Sequence, residues 1–271
     1  MVKSISKWFQ SRPRYRVGVA LSGGGAKGFS HIGALKALEK SGYKPEIVAG
    51  VSAGSIVGAL YCDGYTPAEI ASMFDNISYS DMLKIKIPVD SFFSMEPFSK
   101  FLEKYLVSKR IEDLHIPLVI LATDFDKGCI KEFREGPLID AVVASCSVPA
   151  AFPPVVIDGV HYVDGGVLKN FPVSTIRDSC RTVIGINASP LVADEYKLSL
   201  LNVASRTYHF MFKANILADK ELCDLLIEPV DMGNYDTFDV EKGREIYELG
   251  YKSASDILQQ LSNESQKLLT E

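Results

Sequence analysis

Apolar and polar positions along the chain sort into short solid apolar runs separated by segments with helical spacing. Arg16–Leu21 (RVGVAL), Ile47–Ala49, Leu118–Thr123 (LVILAT), Thr182–Asn187 (TVIGIN) and Leu225–Glu228 (LLIE) are apolar without alternation. That is the signature of strands buried on both faces. Between them, Ser30–Lys40 carries Ile32, Leu35 and Leu38 at helical spacing, with Ser30 predicted as the N-cap and Gly42 just past the end. Further helices are predicted over Ser55–Leu60, Thr66–Asp75, Phe98–Val107, Leu138–Ser145 and Val173–Ser179. Thr66, Pro67 and Glu69 form a start signal for the second of these. Val155–Val163 reads as two short strands around Asp158-Gly159, and Ile130–Phe133 as a hairpin partner of the LVILAT strand. Leu198–Leu222 has helical character with Tyr208, Phe210, Met211 and Phe212, and Gly243–Leu269 reads as one or two closing helices. Strands alternating with helices predict an α/β fold, a three-layer α/β/α sandwich with a mainly parallel central sheet.

No repeat or linker interrupts this alternation, so residues 16–271 are expected to form one domain behind an N-terminal tail, residues 1–15. That tail has basic residues and Ile5, Trp8 and Phe9, but lacks the apolar core of about 7–15 residues that a secretory signal needs. Asn76–Pro97 mixes Phe92, Phe93 and Met95 with lysines and reads as an irregular, substrate-facing segment or a loop over the core. Composition is that of an ordinary folded protein, 47% apolar and 23% charged. A net charge of −5 leaves no basic field for nucleic acid. Five scattered cysteines, none in a C-x-x-C pair, argue for a reducing, cytoplasmic setting rather than a disulfide framework or zinc site.

Candidate chemistry concentrates where strands meet helices. Ile47–Ala49 runs into Gly50-Val51-Ser52-Ala53-Gly54 and on into a helix, a strand–turn–helix with serine at the turn. Glycines two before and two after Ser52 allow strand and helix to approach closely around a strained, exposed hydroxyl. Upstream, Gly23-Gly24-Gly25-Ala26-Lys27-Gly28 opens onto a helix N-terminus, which concentrates unpaired backbone N–H groups and a positive dipole end. A serine nucleophile also needs a base. Only four histidines are present, and His31, His115, His161 and His209 each sit in a context that suits a structural role better. Asp164 is the stronger candidate: it ends the strand-like Val160–Val163 and precedes Gly165 and Gly166. A carboxylate bonded to serine in a dry site can rise in pKa toward neutrality and take the proton itself.

Taken in order, Gly23–Gly28, Gly50–Gly54 and Asp164-Gly165-Gly166 resemble the patatin-like phospholipases, Ser–Asp dyad lipid acyl hydrolases. Ala144–Pro154 (ASCSVPAAFPP) is similar to the segment between the two catalytic residues of that family. The resemblance runs from about Val17 to Pro172 and suits the small bacterial type, similar to the catalytic domain of neuropathy target esterase. It implies Ser52 as nucleophile and Asp164 as base. It implies an oxyanion hole from the amides of Gly24, Gly25 and Ala26 with Lys27 nearby, no cofactor and no metal. The implied substrate is a lipid ester, a phospholipid or lysophospholipid. Oligomeric state, and contact with a membrane surface through Trp8, Phe9 or Phe92-Phe93, are left open.

Two other readings stand beside it. Gly23–Gly28 also fits a dinucleotide-binding loop, but the acid expected about 20 residues on, at the end of the second strand, is missing. A non-catalytic binding or scaffold protein on the same fold is the other, since fold does not fix function.

Overall fold

In the computed structural model, residues 13–74, 84–85, 93–190, 210, 215–237 and 239–268 are described below. Strands β1 (Tyr15–Leu21), β2 (Ile47–Val51), β3 (Lys84–Ile85), β4 (Phe93–Ser94), β5 (Leu118–Asp124), β6 (Cys129–Phe133), β7 (Val155–Ile157), β8 (Val160–Asp164), β9 (Cys180–Ile186) and β10 (Leu225–Ile227) include the five apolar runs and the expected hairpin strands, with β3 and β4 added. Helices α1 (Phe29–Lys40), α2 (Ala53–Cys62), α3 (Pro67–Phe74), α4 (Glu96–Tyr105), α5 (Leu138–Ser145), α6 (Val173–Arg177) and α7 (Gly243–Leu268) lie between and after them.

The main sheet runs β10-β9-β1-β2-β5-β8-β7, with β6 also pairing to β5. From β10 to β5 every neighbour is parallel, while β6, β7 and β8 join antiparallel. Alternate side chains of the central strands feed two cores. Val19, Leu21, Val48, Ile120 and Ala122 pack with α1, α2, α4 and α5 on one face. Ala20, Ala49, Val51, Val119 and Leu121 pack with Phe171, Val173 and Ile176 of the α6 region and with Ile216 on the other. Helices therefore cover both faces of a mainly parallel sheet, the three-layer α/β/α fold that the strand–helix alternation predicts.

Local signals behave as the chain predicts at most ends. Thr66 N–H donates to Glu69 Oε2 at 2.8 Å and Glu69 N–H to Thr66 Oγ1 at 3.3 Å, a reciprocal cap on α3. Asp158 and Gly159 both take positive φ, 50° and 79°, as a two-residue hairpin turn requires. Ser30 is a correction: the cap lies two residues earlier, at Gly28, with α1 starting at Phe29, and the Ser30 hydroxyl instead donates back to Lys27 O at 2.7 Å. The loop thus coils as a 3-10 turn (Gly25–Gly28) directly into α1, leaving Ser30 inside the helix. The C-terminal segment is a single helix rather than two. No helix among the described residues is long and apolar enough to cross a membrane. The residues of the tail that carry Ile5, Trp8 and Phe9, much of Asn76–Pro97 including Phe92, and Tyr208, His209, Met211 and Phe212 lie outside the described residues.

Candidate active site

Sheet register brings Ser52 and Asp164 to one level. Val51 pairs with Leu121 on one side of β5, and Asp164 pairs with Ala122 on the other. Ser52 follows Val51, so the two residues flank Ala122 across two strand spacings, about 10 Å at the backbone. Their side chains have that gap to close.

Ser52 sits at φ 51° and ψ −123°, a conformation that serine rarely adopts and that costs roughly 1–3 kcal/mol. Close packing holds it there. A Cβ on Gly50 would lie 2.5 Å from Gly54 O, and one on Gly54 would strike Leu21 O, so neither position admits a side chain. The Ser52 N–H donates to Ser145 Oγ at 2.8 Å, and that hydroxyl donates to Leu121 O at 2.6 Å. Ser52 O accepts from Ser55 Oγ at 2.7 Å. Ser145 is fully buried at the C-terminus of α5, 93 positions from Ser52 in the chain. Nothing in its local pattern marks it, and sequence reading passed over it.

Asp164 is fully buried and its backbone is fixed at both ends: its N–H donates to Ser147 O at 2.8 Å, and its carbonyl accepts from Thr123 Oγ1 at 3.0 Å. Oδ1 accepts from Gly166 N–H at 2.7 Å, whereas Oδ2 has no hydrogen-bond partner among the described residues. The Ser52 hydroxyl is near enough to favour the ionised carboxylate but does not reach Oδ2 in bonding geometry. Burial outweighs the help from Ser52 and Gly166 and pushes the carboxyl up to about 7. Cys146 lies against the same group: its Sγ is 3.8 Å from Ser55 Oγ, and burial, then the Asp164 charge, push its thiol up, keeping it protonated.

The glycine loop lies beside them. Gly23 N–H donates to Asn170 O at 3.0 Å, and Lys27 N–H to Gly24 O at 3.2 Å. Ala26 differs from the expectation for the loop: its N–H donates to Thr237 O at 2.8 Å. The N–H groups of Gly24 and Gly25 have no acceptor among the described residues. His31, on α1 below the loop, is fully buried, with Nε2 2.8 Å from Ser22 O. Burial lowers its pKa to about 4, so it is neutral at pH 7 and ties the loop to the helix as an Nε2–H donor. His161 meets Asp126 at the surface, 3.1 Å apart. Neither imidazole is hydrogen-bonded to Ser52 among the described residues. Asn170 and Thr237 are further residues of the site that sequence reading missed.

A sheet covered by helices on both faces, a strained serine at one strand end and an aspartate followed by two glycines at another define a patatin-type α/β domain. The chain belongs to the patatin-like phospholipase family, whose profile it matches over residues 19–176. It is 29% identical to human patatin-like phospholipase domain-containing protein 6 over 275 residues, covering 87% of this chain and 20% of that protein. It is 32% identical to neuropathy target esterase sws of Drosophila melanogaster over 182 residues, 64% of this chain and 13% of that one. The chain therefore spans about a fifth of the human relative. Among solved structures, VipD from Legionella pneumophila matches with a TM-score of 0.51 at 16% identity, covering 92% of this chain and 67% of that one, a likeness of fold.

Proposed function

We propose that the chain is a serine lipid acyl hydrolase that cleaves carboxylic esters of phospholipids or lysophospholipids through a Ser52–Asp164 dyad. The observation that carries this reading is the buried Asp164 carboxyl, poised near neutrality with one oxygen unpaired, beside a serine held at positive φ. Asp164 Oδ2 takes the Ser52 proton as Oγ bonds to the acyl carbon. The resulting oxyanion accepts hydrogen bonds from Gly24 and Gly25 N–H, and Ala26 can join them only by leaving Thr237. Collapse breaks the bond to the alcohol, which leaves with the proton from Asp164. Water then attacks the acyl-enzyme, gives its proton to Asp164 and releases the fatty acid with Ser52 restored. Lys27 stands on the same loop as a cation. Membership of the patatin-like family supports the lipid class of substrate and sets aside a nucleotide-binding loop. The names of the relatives, a phospholipase-domain protein and an esterase, point the same way.

The test is fatty-acid release from phosphatidylcholine and lysophosphatidylcholine vesicles, with EDTA present, by wild type, Ser52→Ala and Asp164→Asn. Release by wild type alone supports the reading. Equal release by Ser52→Ala contradicts it, and no release by folded wild type favours the binding-protein reading.

A further inference from the structure

Asn170 carries a buried polar group that the dyad does not use. Its side chain is fully buried, yet neither Oδ1 nor Nδ2 has a hydrogen-bond partner among the described residues. A buried amide with no partner at either end is uncommon in a folded protein and calls for an explanation. Its surroundings supply one. A Cβ placed on Gly23 would strike Asn170 Oδ1 and lie 3.3 Å from Ser52 Cβ, so the carboxamide, the glycine loop and the nucleophile converge on one point. The Asn170 backbone is held independently: its carbonyl accepts from Gly23 N–H, and its N–H donates to Asn215 Oδ1 at 2.8 Å. Asn215 Nδ2 in turn donates to Gly166 O at 3.2 Å, which fixes Asn170 relative to the Asp164 turn.

We propose that the Asn170 carboxamide is a further oxyanion donor, a side-chain N–H that finds its acceptor only when negative charge forms on the substrate oxygen. This rests on the reading of Ser52 as nucleophile. Because neither end of the amide is bonded, a half-turn about its last torsion sacrifices no hydrogen bond and brings Nδ2 to the Gly23–Ser52 side. The loop leaves room for such a donor, since Ala26 N–H is occupied by Thr237 O and only Gly24 and Gly25 remain. A donor unpaired in the ground state and paired in the transition state contributes to kcat rather than to substrate binding.

The experiment compares wild type, Asn170→Leu, Asn170→Ala and Ser52→Ala by hydrolysis of p-nitrophenyl butyrate, inhibition by an alkyl trifluoromethyl ketone, and thermal melting. Leu matches Asn in shape and removes an unpaired polar group, so Asn170→Leu should melt at or above the wild-type temperature. Its kcat should fall by about 10²–10³, as for loss of one oxyanion donor, with KM within about threefold of wild type. The ketone, whose adduct carries the oxyanion, should lose affinity by a factor similar to the fall in kcat. Asn170→Ala retains the backbone carbonyl and should show the same split if the leucine variant does not fold. A kcat near the wild-type value in either folded variant overturns the proposal, as does a loss of kcat with ketone affinity unchanged. Ser52→Ala separates the two levels: if it is inactive while Asn170→Leu turns over normally, only the role of Asn170 falls. If Ser52→Ala turns over normally, both fall.

Discussion

Two buried carboxylates, Asp219 and Asp164, behave in opposite ways. Asp219, 1% exposed, has both oxygens engaged: Oδ2 accepts from Lys169 Nζ at 2.5 Å and Oδ1 from Ser174 N–H at 2.6 Å. Asp164, fully buried, has one oxygen on Gly166 and the other without a partner among the described residues. The same contrast separates two buried asparagines. Asn187 donates to Glu228 and accepts from Ser189 N–H, whereas the Asn170 amide is unpaired at both ends. Asp219 and Asn187 are satisfied and hold structure. At the site Asp164 and Asn170 are left wanting, and the deficiency is what substrate can fill.

The largest effect should come from the site side of this contrast. Ser52→Ala should lower kcat by roughly 10⁴-fold or more in any ester assay, as loss of a nucleophile does elsewhere. It should leave the melting temperature close to wild type, because the bonds that hold the elbow run through the Ser52 backbone N–H and carbonyl.

Asp164→Asn should also remove most turnover while making the protein more stable at neutral and alkaline pH. The sign follows from the raised pKa. Below about pH 4 both folded and unfolded wild type hold the proton and burial costs nothing extra. Between the ordinary carboxylate value and about 7 the unfolded chain ionises while the folded one resists, so wild-type stability falls across that window and levels off above it. Asparagine escapes this penalty. Its advantage in chemical denaturation should therefore grow from pH 4 to 7 and reach roughly 4 kcal/mol above it. For wild type, kcat/KM should rise with pH through an apparent pKa near 7 as Asp164 ionises.

Asp219→Ala should do the reverse of Asp164→Asn. It strands Lys169 beside the core and should destabilise by roughly 3–5 kcal/mol, with kcat per folded molecule much less affected. A stable Asp219→Ala, or an Asp164→Asn that unfolds more easily at pH 8, would break the comparison.

Ser145→Ala should give the smallest change, because Ser145 stands between the two regions. Removing its hydroxyl deprives Ser52 N–H and Leu121 O of their shared partner, at about 1–3 kcal/mol by denaturant titration. A looser elbow should slow turnover about tenfold.

How much of this was legible in the chain depends on how far each interaction reaches. The strands were visible because β1, β2, β5 and β9 are buried on both faces and so read as unbroken apolar runs. Ser52 and Asp164 stood out because each turn is built from adjacent residues, and glycine at set offsets records close approach. The supports of those turns left no local trace. Ser145 reads as the end of an ordinary helix, Asn170 as a loop residue before Phe171-Pro172, and Thr237 as part of a polar segment. Each acts through a contact with residues far away in sequence, so only the folded chain reveals it. Ala26 shows the limit from the other side. Its place in the glycine loop predicted a free amide, and a carbonyl more than 200 positions later takes it.

The most direct measurement is the intact mass of wild type, Ser52→Ala and Asp164→Asn after timed exposure to a fluorophosphonate. The account predicts one adduct on wild type, none on Ser52→Ala, and a much slower adduct on Asp164→Asn. An adduct on Ser52→Ala, or wild-type labelling speed in Asp164→Asn, would contradict the claim that Asp164 activates Ser52.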